Sequence, residues 1–207
     1  MYIFDFDGVI ANSLATCRAA CVEAAALQGS QIDLALNPFA ELDPLTFDAL
    51  ARSLDLNPTR FVEDVGQFLL SRDPVRIVAG MAEVIRQVAG TQPISVLSAS
   101  PVDVIRRFLV TEDLADEIRS IVGGDGDGSK VEHLRHFART SPDAPLVMVG
   151  DAVSDVLAAQ GAAVPFVGVA WGWQSARRLA GAGAGSIADQ PKDLPGLLAQ
   201  AMTEGPR

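Results

Sequence analysis

Positive charge is scarce in this sequence. Lysine and arginine total 16 against 26 aspartates and glutamates, a net charge of −10, and only Lys130 and Lys192 are lysines. A nucleic-acid binder needs a basic face that releases counterions, so that class is excluded. An anionic substrate would need local positive charge from a few specific groups. Cysteine is nearly absent too. Cys17 and Cys21 are too few for a disulfide framework, and their spacing is not that of a Cys-x-x-Cys redox pair, so they read as small buried residues. No apolar run reaches the ~20 residues of a membrane span. There is no internal repeat and no low-complexity tract; "GAGAG" (181–185) is a flexible turn and "EGPR" a frayed tail. The first strand starts almost at Met1, which leaves no room for a signal peptide and sets the expected location as cytoplasmic.

What is present is alternation. Hydrophobic residues make up 49% of the 207 and charged ones 20%, enough for one core or a core with a small accessory domain. Short apolar runs at "PISVLS" (93–98), "IRSIVG" (118–123), "PLVMVG" (145–150) and "PFVGVA" (165–170) are separated by helical patterns. Runs of that kind predict a parallel sheet covered on both faces, a Rossmann-like doubly wound α/β fold. Met81, Val84, Ile85 and Val88 mark one helix, and Val131, Leu134, Phe137 and Ala138 another. Ser100-Pro101 reads as the capped start of a third. Residues 13–79 lack strand patterns. Leu14, Cys17, Cys21 and Val22 share a helical face; Asp43-Pro44 and Asn57-Pro58 look like helix starts. The expected organisation is therefore an α/β core, 1–12 and 80–207, with an inserted all-helical segment at 13–79.

Ligands of parallel α/β sheets bind beyond the carboxyl ends of the strands. The polar residues expected there are Asp5 and Asp7 in "MYIFDFDG", Ser98, Lys130, and Asp151 and Asp155 in "GDAVSD". Placing two carboxylates two residues apart costs about 1 kcal/mol at 4 Å in water and about 4 kcal/mol at an effective dielectric of 20. A hard divalent cation offsets such repulsion, and Mg²⁺ is the expected ion beside a phosphate. Backbone N–H groups near Gly8 and Ala99 are candidate extra phosphate donors. Asp151 could also cap the helix after Gly150, alone or together with a role at the site. His133 and His136, three apart, read as surface residues rather than a metal pair. Trp171 and Trp173 either edge the site or pack a loop.

"DFDGVIANS", "SVLSAS", "GSK" and "GDAVSD" together resemble, in order, the four signature motifs of the haloacid dehalogenase superfamily of phosphohydrolases. The closing stretch "FVGVAWGW…GAGAGSIADQPKDLPGLL" is similar to its phosphoglycolate-phosphatase-like members, and 13–79 stands where these carry a helical cap. The resemblance implies Asp5 as nucleophile and metal ligand. It implies Asp7 as general acid and then general base, ligating metal through its backbone carbonyl. Ser98 and Lys130 would bind phosphate, Asp151 would complete the metal's protein ligands, and Asp155 would hold metal-bound water or Lys130. The expected activity is Mg²⁺-dependent hydrolysis of a small phosphorylated metabolite through an aspartyl-phosphate. Dehalogenases of the superfamily lack the second aspartate. Phosphonatases need a cap lysine, and no lysine precedes residue 130. A phosphomutase or phosphotransferase remains an alternative, as does a catalytically silent binding protein. Arg18, Arg52, Arg60, Arg72 and Arg76 are the cap arginines that could meet a second anionic group.

Overall fold

The computed structural model describes residues 1–33, 35–72, 74–141 and 144–204. The end of the "EGPR" tail, 205–207, lies outside them. The chain divides into two compact units, one of Met1–Asn12 with Ile77–Arg207, the other Ser13–Arg76. Residues 77–79, placed with the helical segment by the sequence pattern, fall in the first unit. There the Val78 N–H donates to the Ile10 carbonyl at 2.8 Å, and Ile77 bridges Ala11.

The first unit is built on six parallel strands, β1 (Tyr2–Phe4), β2 (Ile94–Leu97), β3 (Ile118–Val122), β4 (Val147–Gly150), β5 (Phe166–Val169) and β6 (Ile187–Ala188). Their order is β3-β2-β1-β4-β5-β6, with β1 at the centre. Every residue of β1, β2 and β4 is buried, which is why these strands read as unbroken apolar runs rather than alternating ones. Helices connect them: α4 (Met81–Ala89), α5 (Val102–Thr111), α6 (Lys130–Thr140), α7 (Val153–Gly161), α8 (Ala176–Gly181) and α9 (Leu194–Glu204). Leu134 of α6 and Ala158 and Ala159 of α7 share a buried cluster with Ile3, Leu97 and Met148. Right-handed crossovers put α4 and α5 on the opposite face. Met81, Val84, Ile85 and Val88 form the buried stripe of α4, at the helical spacing seen in the sequence.

The chain runs outward from β1 through β2 to β3, then returns past β1 to β4. That reversal leaves a crevice above the ends of β1, β2 and β4, the place where such sheets take their ligands.

The second unit contains α1 (Leu14–Leu27), α2 (Phe47–Ser53) and α3 (Pro58–Leu70). Asn57 caps α3 by accepting the Arg60 N–H at 3.0 Å, with Pro58 in the first turn. The α2 helix starts at Thr46, which accepts the Ala49 N–H, and not at Asp43-Pro44. Small residues let α1 lie close to α3: Cys17, Ala20, Cys21, Ala24 and Ala25 are its buried positions, and Phe61 and Val65 are those of α3. Both cysteines are buried, and neither is in a disulfide. Among the described residues no helix is long and apolar enough to cross a membrane. Burial pushes the Cys21 thiol up to about 12, so the thiolate that reacts with electrophiles is suppressed. Native protein at pH 8 should leave Cys21 unmodified by iodoacetamide, and urea-unfolded protein should be alkylated there; modification at comparable rates in both states would contradict this packing.

Candidate active site

Each candidate side chain is delivered by a strand end or by the helix start that follows one. Asp5 comes directly after β1, Ser98 directly after β2, and Asp151 directly after β4. Lys130 is the first residue of α6, and Asp155 lies in the first turn of α7. Because β1 is hydrogen-bonded to both β2 and β4, these ends are neighbours.

Lys130 is the centre of the cluster. Its Nζ donates to Asp5 Oδ2 at 2.8 Å and to Asp155 Oδ1 at 2.6 Å. Burial works against its charge, but Asp155 and then Asp5 outweigh that and raise its pKa. It is ammonium at any working pH. The helix that carries it is fixed by a capping box: Ser129 accepts the Glu132 N–H, and the Glu132 carboxylate accepts the Ser129 N–H at 2.7 Å.

Asp5, Asp151 and Asp155 each place a carboxylate oxygen within 4.8 Å of the others, and all three are buried. Among the described residues this is the one group of candidate metal ligands; His133 and His136 form none. Asp155 is the most heavily hydrogen-bonded of the three. Besides Lys130 it accepts the N–H groups of Asp151 and Ala152, both at 3.2 Å, which also tie down the start of α7. Burial pushes its pKa up to about 6, while Lys130 and the Ala152 N–H hold it from rising further. Asp151 is raised well above the ordinary carboxylate range, by burial first and then by Asp5 and Asp155. Three carboxylates thus share one ammonium group. The donor set is all oxygen and carries excess negative charge, which suits a hard divalent cation. Asp5 accepts two hydrogen bonds and Asp151 one against the three of Asp155, so those two keep more lone pairs to offer one.

Asp151 does not cap α7; Ala152 occupies that position. The Asp151 Oδ2 instead accepts the Trp173 N–H at 2.6 Å, so the loop after β5 orients it. Trp173 is buried, and Trp171 donates from its indole to the Val9 carbonyl at 3.3 Å. Both tryptophans therefore pack the loops around the cluster. Gly8 has φ +75°, and a Cβ there would stand 2.1 Å from Asp151 Oδ2. Only glycine allows that approach. Its N–H, however, donates to the Ala11 carbonyl at 2.9 Å. The turn itself thus uses that N–H, and Gly8 admits Asp151 by its lack of a side chain.

Ser98 is buried, and its Oγ accepts the Ser100 N–H at 3.2 Å. Ala99 is exposed just beyond it. Ser98, Ala99 and Lys130 line a recess of ≈180 Å³ together with Gly124, Gly128 and His133. His133 is thus half-buried beside Lys130, one helical turn on, while His136 is exposed. Ser100, expected to cap α5, does not; Pro101 holds that position, and the Val102 N–H is taken by Asp125 at 3.1 Å. The Ser100 hydroxyl donates to Asp7 Oδ2 at 2.6 Å instead. A serine before proline after a strand carries the same signature whether it caps or reaches sideways, so the sequence alone favoured the commoner role.

Comparison with known proteins follows the same lines. No curated protein matches the chain. Solved structures match along almost its full length: a haloacid dehalogenase-like family hydrolase from Streptococcus pneumoniae (TM-score 0.84, 14% identity, 95% of this chain and 97% of that one). A protein described as a predicted phosphatase from Clostridium acetobutylicum gives 0.82 and 20%, covering 96% and 97%. One described as a predicted phosphoglycolate phosphatase from Haemophilus somnus gives 0.79 and 16%, with the same coverage. At such identities the likeness is one of fold. The family model described as haloacid dehalogenase-like hydrolase matches residues 2–169, and on that match the chain belongs to the haloacid dehalogenase-like hydrolases.

Proposed function

We propose that this protein is a phosphatase that hydrolyses a small phosphorylated metabolite through an aspartyl-phosphate on Asp5, with Mg²⁺ as cofactor. The observation that carries the reading is the shared hydrogen bonding of Lys130 with Asp5 and Asp155 at the strand crevice. That arrangement holds a carboxylate in place beside the positive charge that a phosphoryl group requires.

Asp5 is already oriented: its Oδ1 accepts the adjacent Phe6 N–H at 2.7 Å and its Oδ2 faces Lys130. A carboxylate oxygen of Asp5 attacks phosphorus, and the bond from phosphorus to the leaving oxygen breaks. Asp7 gives that oxygen its proton. Water then attacks the phosphoryl group, Asp7 takes the water's proton, and the bond to Asp5 breaks to release inorganic phosphate. Ser98, whose hydroxyl hydrogen has no recorded acceptor among the described residues, donates to a phosphoryl oxygen. The Ala99 N–H is a further donor there. Lys130 neutralises phosphate charge, and Asp155 fixes Lys130 from behind. Asp5, Asp151 and the Asp7 carbonyl are the groups that would hold Mg²⁺. When bound, the cation supplies charge neutralisation between the carboxylates and the phosphoryl oxygens.

The helical unit Ser13–Arg76 is proposed as a cap that selects the leaving group. Within its compact unit Arg52 pairs with Asp48 at 2.9 Å, Arg60 with Asp64 at 3.7 Å, and Arg72 with Glu23. Arg76 is exposed and has no ion pair recorded among the described residues.

Asp5→Asn should lower turnover of p-nitrophenyl phosphate by at least about a thousand-fold while leaving the circular dichroism spectrum and melting temperature near wild type. Appreciable turnover by that variant would refute the nucleophile assignment. EDTA treatment should abolish turnover, and MgCl₂ should restore it. Mg²⁺ should also raise the melting temperature of the wild type, by an amount equivalent to about 2.7 kcal/mol at a hundred times its dissociation constant, and raise that of Asp151→Asn less. Full activity in chelated, metal-free protein would remove Mg²⁺ from the proposal.

A further inference from the structure

We propose that His133 is a further phosphate-binding residue, whose imidazole donates to a non-bridging oxygen of the phosphoryl group seated at Ser98, Ala99 and Lys130. The inference rests on the phosphatase reading above and extends it to a side chain outside the signature motifs.

The recess beside Lys130 measures ≈180 Å³. Pockets that enclose whole ligands start at ~300 Å³, so this one takes a single group of a substrate rather than all of it. Its chemistry is one-sided. Lys130, Ser98 and His133 are the polar side chains that line it; Leu97, Ala99 and four glycines complete the wall, and among the described residues no acidic side chain does. That is unexpected in a chain of net charge −10 whose loop over 123–128 carries two aspartates. Asp125 is turned away to the Val102 N–H at 3.1 Å, and Glu132 to the N–H of its own cap residue, Ser129, at 2.7 Å. Asp5 and Asp155 meet Lys130 without lining the recess. A small space walled by donors and cleared of carboxylates suits an anion.

His133 stands three positions after Lys130, on the same side of α6. It is half-buried, and its ring has no hydrogen bond recorded among the described residues; Glu132 is the charged group beside it. An imidazole carries at least one N–H in either tautomer. The Ser98 hydroxyl is also a donor with no recorded acceptor, and Ser98 is 6% exposed. Two donors with nothing to donate to, on one recess beside an ammonium group, call for an acceptor that the protein does not itself supply. The loop is shaped to admit the ring. Gly128 has φ +106°, and a Cβ there would lie 3.3 Å from His133 Nε2. A glycine at that position lets the main chain pass close against the imidazole.

Inorganic phosphate is the probe for the test, because it carries the phosphoryl oxygens and no leaving group. With MgCl₂ present throughout, His133→Ala should raise the inhibition constant of phosphate against p-nitrophenyl phosphate about tenfold. It should lower kcat/KM for p-nitrophenyl phosphate and phenyl phosphate by similar factors, since the contact is to the part they share. The rise in melting temperature that phosphate causes should shrink as well, a readout independent of turnover, while the melting temperature without phosphate stays near wild type. His133→Gln, which keeps an N–H, should recover most of the phosphate affinity. An unchanged inhibition constant, or a His133→Gln as weak as His133→Ala, would overturn the inference. So would a loss confined to one ester, which would put the leaving group in the recess. Ser98→Ala is measured beside them. If it loses phosphate affinity and His133→Ala does not, only the role of His133 falls; if the wild type neither binds phosphate nor turns over either ester, the phosphatase reading falls with it.

Discussion

Three buried carboxylates answer to a single ammonium group, and the surrounding structure is arranged around that imbalance. Asp5, Asp151 and Asp155 could not be held so close in a low-dielectric interior without compensation. Lys130 cancels part of the repulsion through two charge-assisted hydrogen bonds. The N–H groups of Phe6, Ala152 and Trp173 each satisfy a further carboxylate oxygen. What remains is excess negative charge on oxygen donors, a demand that a hard cation meets and a phosphoryl dianion alone would worsen. In a chain with a net charge of −10, one of the two lysines stands at the point where the chemistry calls for positive charge.

The topology makes this concentration possible. Side chains more than a hundred positions apart meet because β1 lies between β2 and β4, and each strand ends at the same edge. The helices contribute as well: α6 presents Lys130 from its first residue, and α7 presents Asp155 from its first turn. Asp155 serves two ends at once. It satisfies the otherwise orphaned N–H groups at the start of α7 and receives Lys130, so folding of that helix and orientation of the lysine depend on one carboxylate.

Much of this was legible from the sequence because it depends on patterns that survive without coordinates. The strand runs of β1, β2 and β4 are buried on both faces and mostly apolar, so they stand out. The two-residue β6 is too short to give any period. The α4 stripe follows helical spacing closely, whereas the start of α2 was misplaced because Asp-Pro resembles a helix entry while Thr46 makes the capping bond. Asp5 and Asp151 could be gathered from their strand-end positions, and Lys130 from its place at the start of a helix. Backbone commitments could not be. That the Gly8 N–H is used within its own turn, that Asp151 accepts from Trp173, and that Ser100 turns to Asp7 are each decided by contacts between distant segments. His133 carried a weak signal, three residues after Lys130 and so on its side of the helix, but helical spacing says nothing of the loop that closes the recess beside it.

The bond from the Trp173 N–H to Asp151 has a bearing on how much of the polypeptide is indispensable. Trp173 lies past residue 169, where the match to the family ends. A shortened version stopping at that limit would retain every signature aspartate, serine and lysine, yet leave a buried acid without its donor and strip β6 and α9 from the sheet. The smallest working length is therefore set by what supports the acidic cluster from outside the motifs, and it is longer than the motifs themselves would suggest.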